Sequence, residues 1–368
     1  MGDTLIKGVA YHGNRMLSHV REDMMDLARN GFNAVVHMFS HNDMIRHKKI
    51  MKEIIKISEE FGLKVYIDNW GLSGAPGEPS HFLSWYPNAH QVYNNGNFKN
   101  PAFPRVLTCF NNPDFIEFTK EWIDSVIEIG GKRIMWDEPF MISGKYMDDV
   151  PKLWTCRCET CRRIFKEKYG FEMPVEYTKE VDEFRVWTFK NYFNTICSYG
   201  ASKGIENSLI LKVHTERGIG LSNSEDLFEI SSIHNIGTDP YQKWNGYENV
   251  YTTIYPATLE NVRISKKYNK GHHLWIKGFG LPPGEEDDII AAADAIYDAG
   301  AREIFIWGYR GSEANDYRMP YPETAWKTMI DAMARITERH RNEKYEAAKK
   351  IVETDKSIYK NYIDSFMK

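Results

Sequence analysis

The chain has 368 residues, with 47 Lys and Arg set against 51 Asp and Glu and a formal net charge of -4 at pH 7. That balance excludes the basic field of a nucleic-acid-binding protein and the acidic tail of a disordered one. Hydrophobic residues make up 42% and aromatics 14%, enough for a large packed core, and the aromatic excess suits stacking against sugar rings.

The first ten residues lack the charged and apolar regions of a secretory leader, and no apolar run approaches the ~20 residues needed to cross a bilayer. The expectation is a cytoplasmic protein with no membrane contact. Five cysteines, three of them crowded at Cys156, Cys158 and Cys161, fit a reducing compartment in which thiolates bind metal.

Taken in chain order, short apolar runs alternate with amphipathic stretches, the pattern of repeated βα units around a parallel sheet. Strands are predicted over Lys7–Asn14, Phe32–Ser40, Leu63–Trp70, Arg133–Glu138, Ser208–Thr215, Ile236–Tyr241, His273–Phe279 and Glu303–Tyr309. Helices are predicted over Ser18–Asn30, Asp43–Phe61, Asp114–Ile129 and Glu285–Ala299, with Gly31, Gly62, Gly130 and Gly300 at their C-caps. Eight such units make an α/β protein of the (β/α)8 TIM-barrel class, whose functional face is built by the segments that follow the strands.

Two of those segments are long: Gly71–Pro113 after the third strand and Pro139 to about Asn207 after the fourth. Long loops on that face shape a pocket. After Pro322 an eighth helix is expected. The domain reading is a barrel over 1–340, including a metal-binding loop region over 109–161, with a helical extension over 341–368 packed against it.

Cys156-x-Cys158-x-x-Cys161 places three thiolates within one short turn. A tetrahedral Zn2+ needs a fourth protein ligand, for which Cys109 is the candidate. A fully protein-ligated ion leaves no position for water, so its role would be structural. The competing reading is a set of unrelated buried cysteines, the reading given to the isolated Cys197.

Trp136-Asp137-Glu138, followed by Trp154-Thr155-Cys156-Arg157-Cys158-Glu159-Thr160-Cys161, Phe165 and Tyr169-Gly170, resembles the segment after the fourth strand in family 42 glycoside hydrolases. The resemblance is specific over Arg133–Gly170 together with Cys109. It implies a β-galactosidase-like barrel with a structural zinc on four cysteines, and it raises assembly into a homo-oligomer. It also implies that Glu138 is the acid/base. The chain departs from the family in carrying Asp137 where an asparagine is usual and in lacking a carboxylate on strand seven, which reads Trp275-Ile276-Lys277-Gly278-Phe279-Gly280.

Glycoside cleavage generally needs two carboxyl groups flanking the bond. Asp68, Asp137, Glu138, Glu216 and Asp239 all fall at predicted strand ends. Pro139 biases Glu138 to an extended backbone, and adjacent side chains on an extended strand point opposite ways, so Asp137 and Glu138 are not expected to share one role. Asp239, beside Tyr241 and Trp244, is the choice for the missing partner. This layout is similar to α-glycosidase barrels in which an aspartate on strand four attacks and one on strand six protonates, which would give those roles to Asp137 and Asp239.

Around these, His12, His37, Asp68, His214, Lys277 and Arg310 are expected to fix sugar hydroxyls. Trp70, Trp136, Trp244, Trp275 and Trp307 are candidates for stacking, with a core role competing for each. The function expected is a glycoside hydrolase acting on a small carbohydrate through Asp137, Glu138 and Asp239. Two alternatives stay open: a non-catalytic sugar-binding barrel, and a metal-dependent lyase or hydrolase using the histidines with Asp68 or Asp239.

Overall fold

A computed structural model describes residues 4–12, 14–74, 77–99, 105–139, 141–142, 153–211, 224–241 and 249–354. His214, Glu216 and Trp244 lie outside the described residues. In chain order the elements are β1 (Ile6–Tyr11), α1 (Leu17–Arg29), β2 (Ala34–Met38), α2 (His41–Arg46), α3 (Lys48–Glu60), β3 (Lys64–Asp68), α4 (Phe82–Trp85), α5 (Pro113–Glu128) and β4 (Arg133–Trp136). There follow α6 (Glu159–Tyr169), α7 (Lys179–Ser202), β5 (Glu206–Leu211), β6 (Ile233–Thr238), α8 (Val250–Lys267), β7 (Leu274–Lys277), α9 (Asp288–Asp298), β8 (Glu303–Trp307), α10 (Tyr309–Ser312) and α11 (Pro322–Thr354).

The eight strands pair in sequence order, all parallel, and β8 closes on β1. This is the (β/α)8 barrel expected from the alternating pattern, with every predicted strand present and most ending two to four residues earlier at the C-terminal side. α11 runs unbroken through position 341, from Pro322 to Thr354.

The period-two alternation of each strand splits the core into two shells. Ala10, Ala34, Val36, Met38, Tyr66, Met135, Ile210, Trp275 and Phe305 fill the barrel lumen. Their strand neighbours, among them Val9, Val35, Ile67, Ile134, Trp136, Leu209, Ile276 and Ile306, face the helices. Two glycines make room for the bulkiest lumen rings. A Cβ on Gly8 would sit 2.3 Å from the Phe305 ring, and one on Gly237 would sit 2.4 Å from His273.

The predicted helix over Asp43–Phe61 is two helices. Ser40 and Asp43 form a capping box that starts α2, and His47, at φ -123°, ends it and starts α3. Capping chemistry outweighs a continuous apolar stripe here because it satisfies backbone groups that the stripe cannot.

Candidate functional site

The lumen parity of each strand determines which residues stand at the C-terminal rim. One rung above Ala10, Tyr66, Met135, Trp275 and Phe305 come His12, Asp68, Asp137, Lys277 and Trp307, and by the same parity Asp239 follows Gly237 on β6. Asp68, Asp137, Asp239 and Lys277 are all buried. Asn69 ties two strand ends together, its Oδ1 accepting the Asp137 amide N–H at 2.7 Å.

Glu138 does not take the extended backbone expected before a proline. Its φ is 28°, in the left-handed region that a residue with a Cβ enters at a cost. β4 ends at Trp136, so the strand rule that sends Asp137 and Glu138 to opposite faces lapses at this point.

Tyr241 reports how these acids meet. Its hydroxyl is pushed well above the ordinary phenol range by burial first, then by the charges of Asp239, Glu138, Asp137 and Asp68 in turn. The charges of four carboxyl groups at the ends of β3, β4 and β6 therefore act on one buried phenol. Tyr241 also meets Phe279 edge-on at 5.3 Å, and the Lys277 ammonium lies 5.4 Å from that same Phe279 ring. A buried lysine at the end of β7 thus stands where the resembled barrels place a glutamate.

Asp68 is fully buried, and its carboxyl is raised well above the usual carboxylate range. Burial is the largest cause and the Glu138 charge the second, while the Trp70 backbone acts in the opposite direction. Beside it the mouth is walled by rings. His12 stacks on Trp70 at 6.0 Å and leans on Trp307 at 5.8 Å, and the two indoles lie 5.2 Å apart. Burial lowers His12 to about 4, so it is a neutral imidazole at pH 7. Hollows of about 260 Å³ and 200 Å³ open beside it, the first reaching Arg310 and the second Trp70 and Arg15.

Other expected site residues sit elsewhere. His37 belongs to the helix-facing shell: its Nε2 meets the Ser58 hydroxyl of α3 at 2.8 Å, although the ring borders the smaller hollow from behind. Trp136 faces the helices too, donating from Nε1 to Asn207 at 3.0 Å and packing on Trp122. Trp275 is a lumen residue beneath Trp307, 5.5 Å from it. Arg310 pairs with Glu313 and Glu323 at the rim.

The four cysteines converge. The Sγ atoms of Cys109, Cys156, Cys158 and Cys161 lie within 4.8 Å of one another, and all four residues are buried and free of disulfides. Cys109 is 3.5 Å from Cys161 and 3.6 Å from Cys158. Those spacings are far too long for S–S bonds and close to the ~3.8 Å between thiolates on a tetrahedral ion with 2.3 Å bonds. Hydrogen bonding among the crowded thiols pushes Cys109 up and pulls Cys158 down. Asn111 supports the cluster, donating to Cys161 Sγ at 3.3 Å and to Thr188 at 2.9 Å. Cys197 is buried alone in α7.

A brace that the sequence did not advertise holds the same loops. Arg185 of α7, fully buried, donates to the carbonyl oxygens of Thr155 at 2.7 Å and of Met141 and Ile142 at 3.1 Å, and to the Tyr177 hydroxyl at 2.7 Å. It locks the segment after β4 to the cysteine turn.

No protein-family model matches the sequence, and no curated protein matches it. Solved structures share the fold. The catalytic domain of a β-amylase from Paenibacillus polymyxa superposes with a TM-score of 0.64 at 10% identity, over 90% of this chain and 99% of that one. A β-galactosidase from the psychrophilic Marinomonas ef1 gives 0.66 at 13% identity, over 90% of this chain and 60% of that one. A catalytic mutant of a GH42 β-galactosidase from G. stearothermophilus gives 0.64 at 12% identity, over 92% and 57%. These neighbours are glycoside hydrolases, and at such identity the likeness is one of fold. Among the described residues, no helix is long and apolar enough to cross a membrane.

Proposed function

We propose that the protein is a glycoside hydrolase that cleaves a small oligosaccharide or glycoside at the C-terminal mouth of the barrel. The observation that carries this reading is the row of buried acids at one rim of the barrel, Asp68, Asp137 and Asp239 with Glu138 beside them, whose charges all act on the buried Tyr241 hydroxyl. Asp239 on β6 and a carboxyl of the Asp137–Glu138 pair after β4 flank the scissile bond. One protonates the departing oxygen; the other attacks the anomeric carbon or activates water. Lys277, occupying the β7 position, favours ionised carboxylates around it, which suits a pair drawn from β4 and β6.

Trp70 and Trp307 offer indole faces to the C–H face of a pyranose, and His12, neutral and packed beside both, offers a ring nitrogen to a hydroxyl. The cysteine cluster would hold Zn2+ with a closed shell, tying the loops after β3 and β4 and giving the mouth a rigid wall. A structure with bound sugar tests the assignment. The sugar is expected on the Trp70–Trp307 face within hydrogen-bond reach of Asp239 and the β4 carboxyls, and a sugar seated away from those acids overturns it.

A further inference from the structure

The turn after β8 carries strain that neither the barrel nor the acids of the mouth explain. Arg310 (φ 50°), Gly311 (φ 68°) and Ser312 (φ 59°) follow one another in the left-handed region, where only glycine sits at ease. Ion pairs from Arg310 to Glu313 and Glu323, and the bond from the Met319 amide to the Gly311 oxygen at 2.8 Å, pin the turn in that shape. Backbone strain held in this way gathers where ligands bind.

What the turn presents is Ser312. The residue is 2% exposed, and its Oγ is buried without a hydrogen-bond partner. The Nε2 of His12, just past the end of β1, is likewise buried and unpartnered. A Cβ on Gly308 would lie 3.2 Å from Ser312 Oγ and 3.5 Å from His12 Nε2, so both atoms border the bare side of that glycine. Both residues line the hollow of about 260 Å³. Other polar side chains of its lining are engaged: the Tyr11 and Tyr309 hydroxyls and the Asn14 amide donate to Asp23, and Arg310 is paired with two carboxylates.

Buried polar groups left without partners are destabilising, and a ligand that bonds both removes the penalty. With Arg310 already matched by two carboxylates, the described lining offers no net positive charge to an anion. A serine hydroxyl and a neutral imidazole can each donate or accept, which is the complement of an alcohol. The volume falls below the ~300 Å³ at which pockets take drug-sized molecules, and suits a single ring.

We propose that this hollow is a subsite for one neutral sugar ring, in which Ser312 Oγ and His12 Nε2 bond a hydroxyl of that ring beside Gly308. The sugar nature of the ligand rests on the hydrolase reading. His12 joins the subsite to the aromatic wall of the mouth, since the imidazole that packs on Trp70 and Trp307 also borders the hollow. Ser312 is a specificity residue and not a catalytic one: it decides which sugar is held.

Calorimetric titration with glucose, galactose, mannose and xylose, and with inorganic phosphate as the anion, tests this on wild type, Ser312→Gly and His12→Phe. Glycine relieves the backbone while removing the hydroxyl, so Ser312→Gly should melt no lower than wild type. Phenylalanine keeps a ring beside the indoles and removes the nitrogen. At least one sugar should bind wild type, and each variant should weaken it about 3- to 10-fold. Monodeoxy forms of that sugar then identify the hydroxyl. One of them should bind wild type more weakly by a similar factor and lose nothing further in Ser312→Gly. Losses that add at every deoxy position overturn the subsite, as does a wild type that binds none of the sugars. Phosphate binding that Ser312→Gly weakens overturns the neutral ligand. Turnover of a glycoside panel separates the two readings. Cleavage by wild type with KM unchanged in Ser312→Gly keeps the hydrolase and sinks the subsite; coupled sugar binding without cleavage sinks the hydrolase and keeps the subsite.

Discussion

Removing one cysteine from the cluster should loosen the mouth by a calculable amount. Cys109 and Cys158 are 49 residues apart in sequence and 3.6 Å apart in space, so an ion gripping both closes a long loop. Treated as a cross-link on the unfolded chain, a loop of that length is worth about 4 kcal/mol. Spread over the unfolding entropy of a protein of this size, that lowers the melting temperature by about 5 °C. Calorimetry of wild type and Cys109→Ser, with elemental analysis of each, gives both quantities. One Zn2+ per wild-type chain is expected, together with little or none in the variant. A wild-type chain with no metal, or a variant melting within about 1 °C of it, would refute the cross-link.

Arg185→Met should be costly although it exchanges a charge for a hydrophobe, because it strips donors from the buried carbonyls of Thr155, Met141 and Ile142; a loss of about 3 kcal/mol is expected in urea unfolding. Trp307→Ala should raise KM on the order of 10-fold, from about 1 to 1.5 kcal/mol of lost stacking, with a smaller change in kcat; an unchanged KM would remove the indole from the sugar site. His37, lowered to about 3 by burial, stays neutral in the fold while the unfolded chain protonates it near pH 6.5. Stability should therefore fall as the pH drops below 6.5, by about 1.4 kcal/mol per unit. His37→Gln should remove that share of the slope in denaturant titrations from pH 6.5 to 4 and leave KM alone.

The barrel was legible because each strand is an apolar run closed by a turn signal, and eight of them leave few other ways to bury a sheet. Their C-terminal ends were read two residues too long at β2, β3, β4, β7 and β8, where the chain leaves the ladder to build the mouth. The cysteine cluster was legible because thiol spacing is itself chemistry. Facing was harder to read. His37 and Met38 are adjacent, and shifting a strand by one residue exchanges lumen for helix shell, so position at a strand end could not separate His37 from a mouth residue. Glu138 shows the limit of a local rule: the restriction set by Pro139 predicts an extended backbone, and the packing of the mouth imposes φ 28° instead. Arg185 and Asn69 escaped notice because each acts on backbone groups distant in sequence, and nothing in their neighbours announces it.

The central claim is that acids from β4 and β6 act on one glycosidic bond, and the turnover of Asp239→Asn tests it most directly. Against the best substrate of a broad glycoside panel, the account predicts a fall in kcat/KM of about 10³-fold or more with the melting temperature maintained. Turnover equal to wild type in that variant would contradict it.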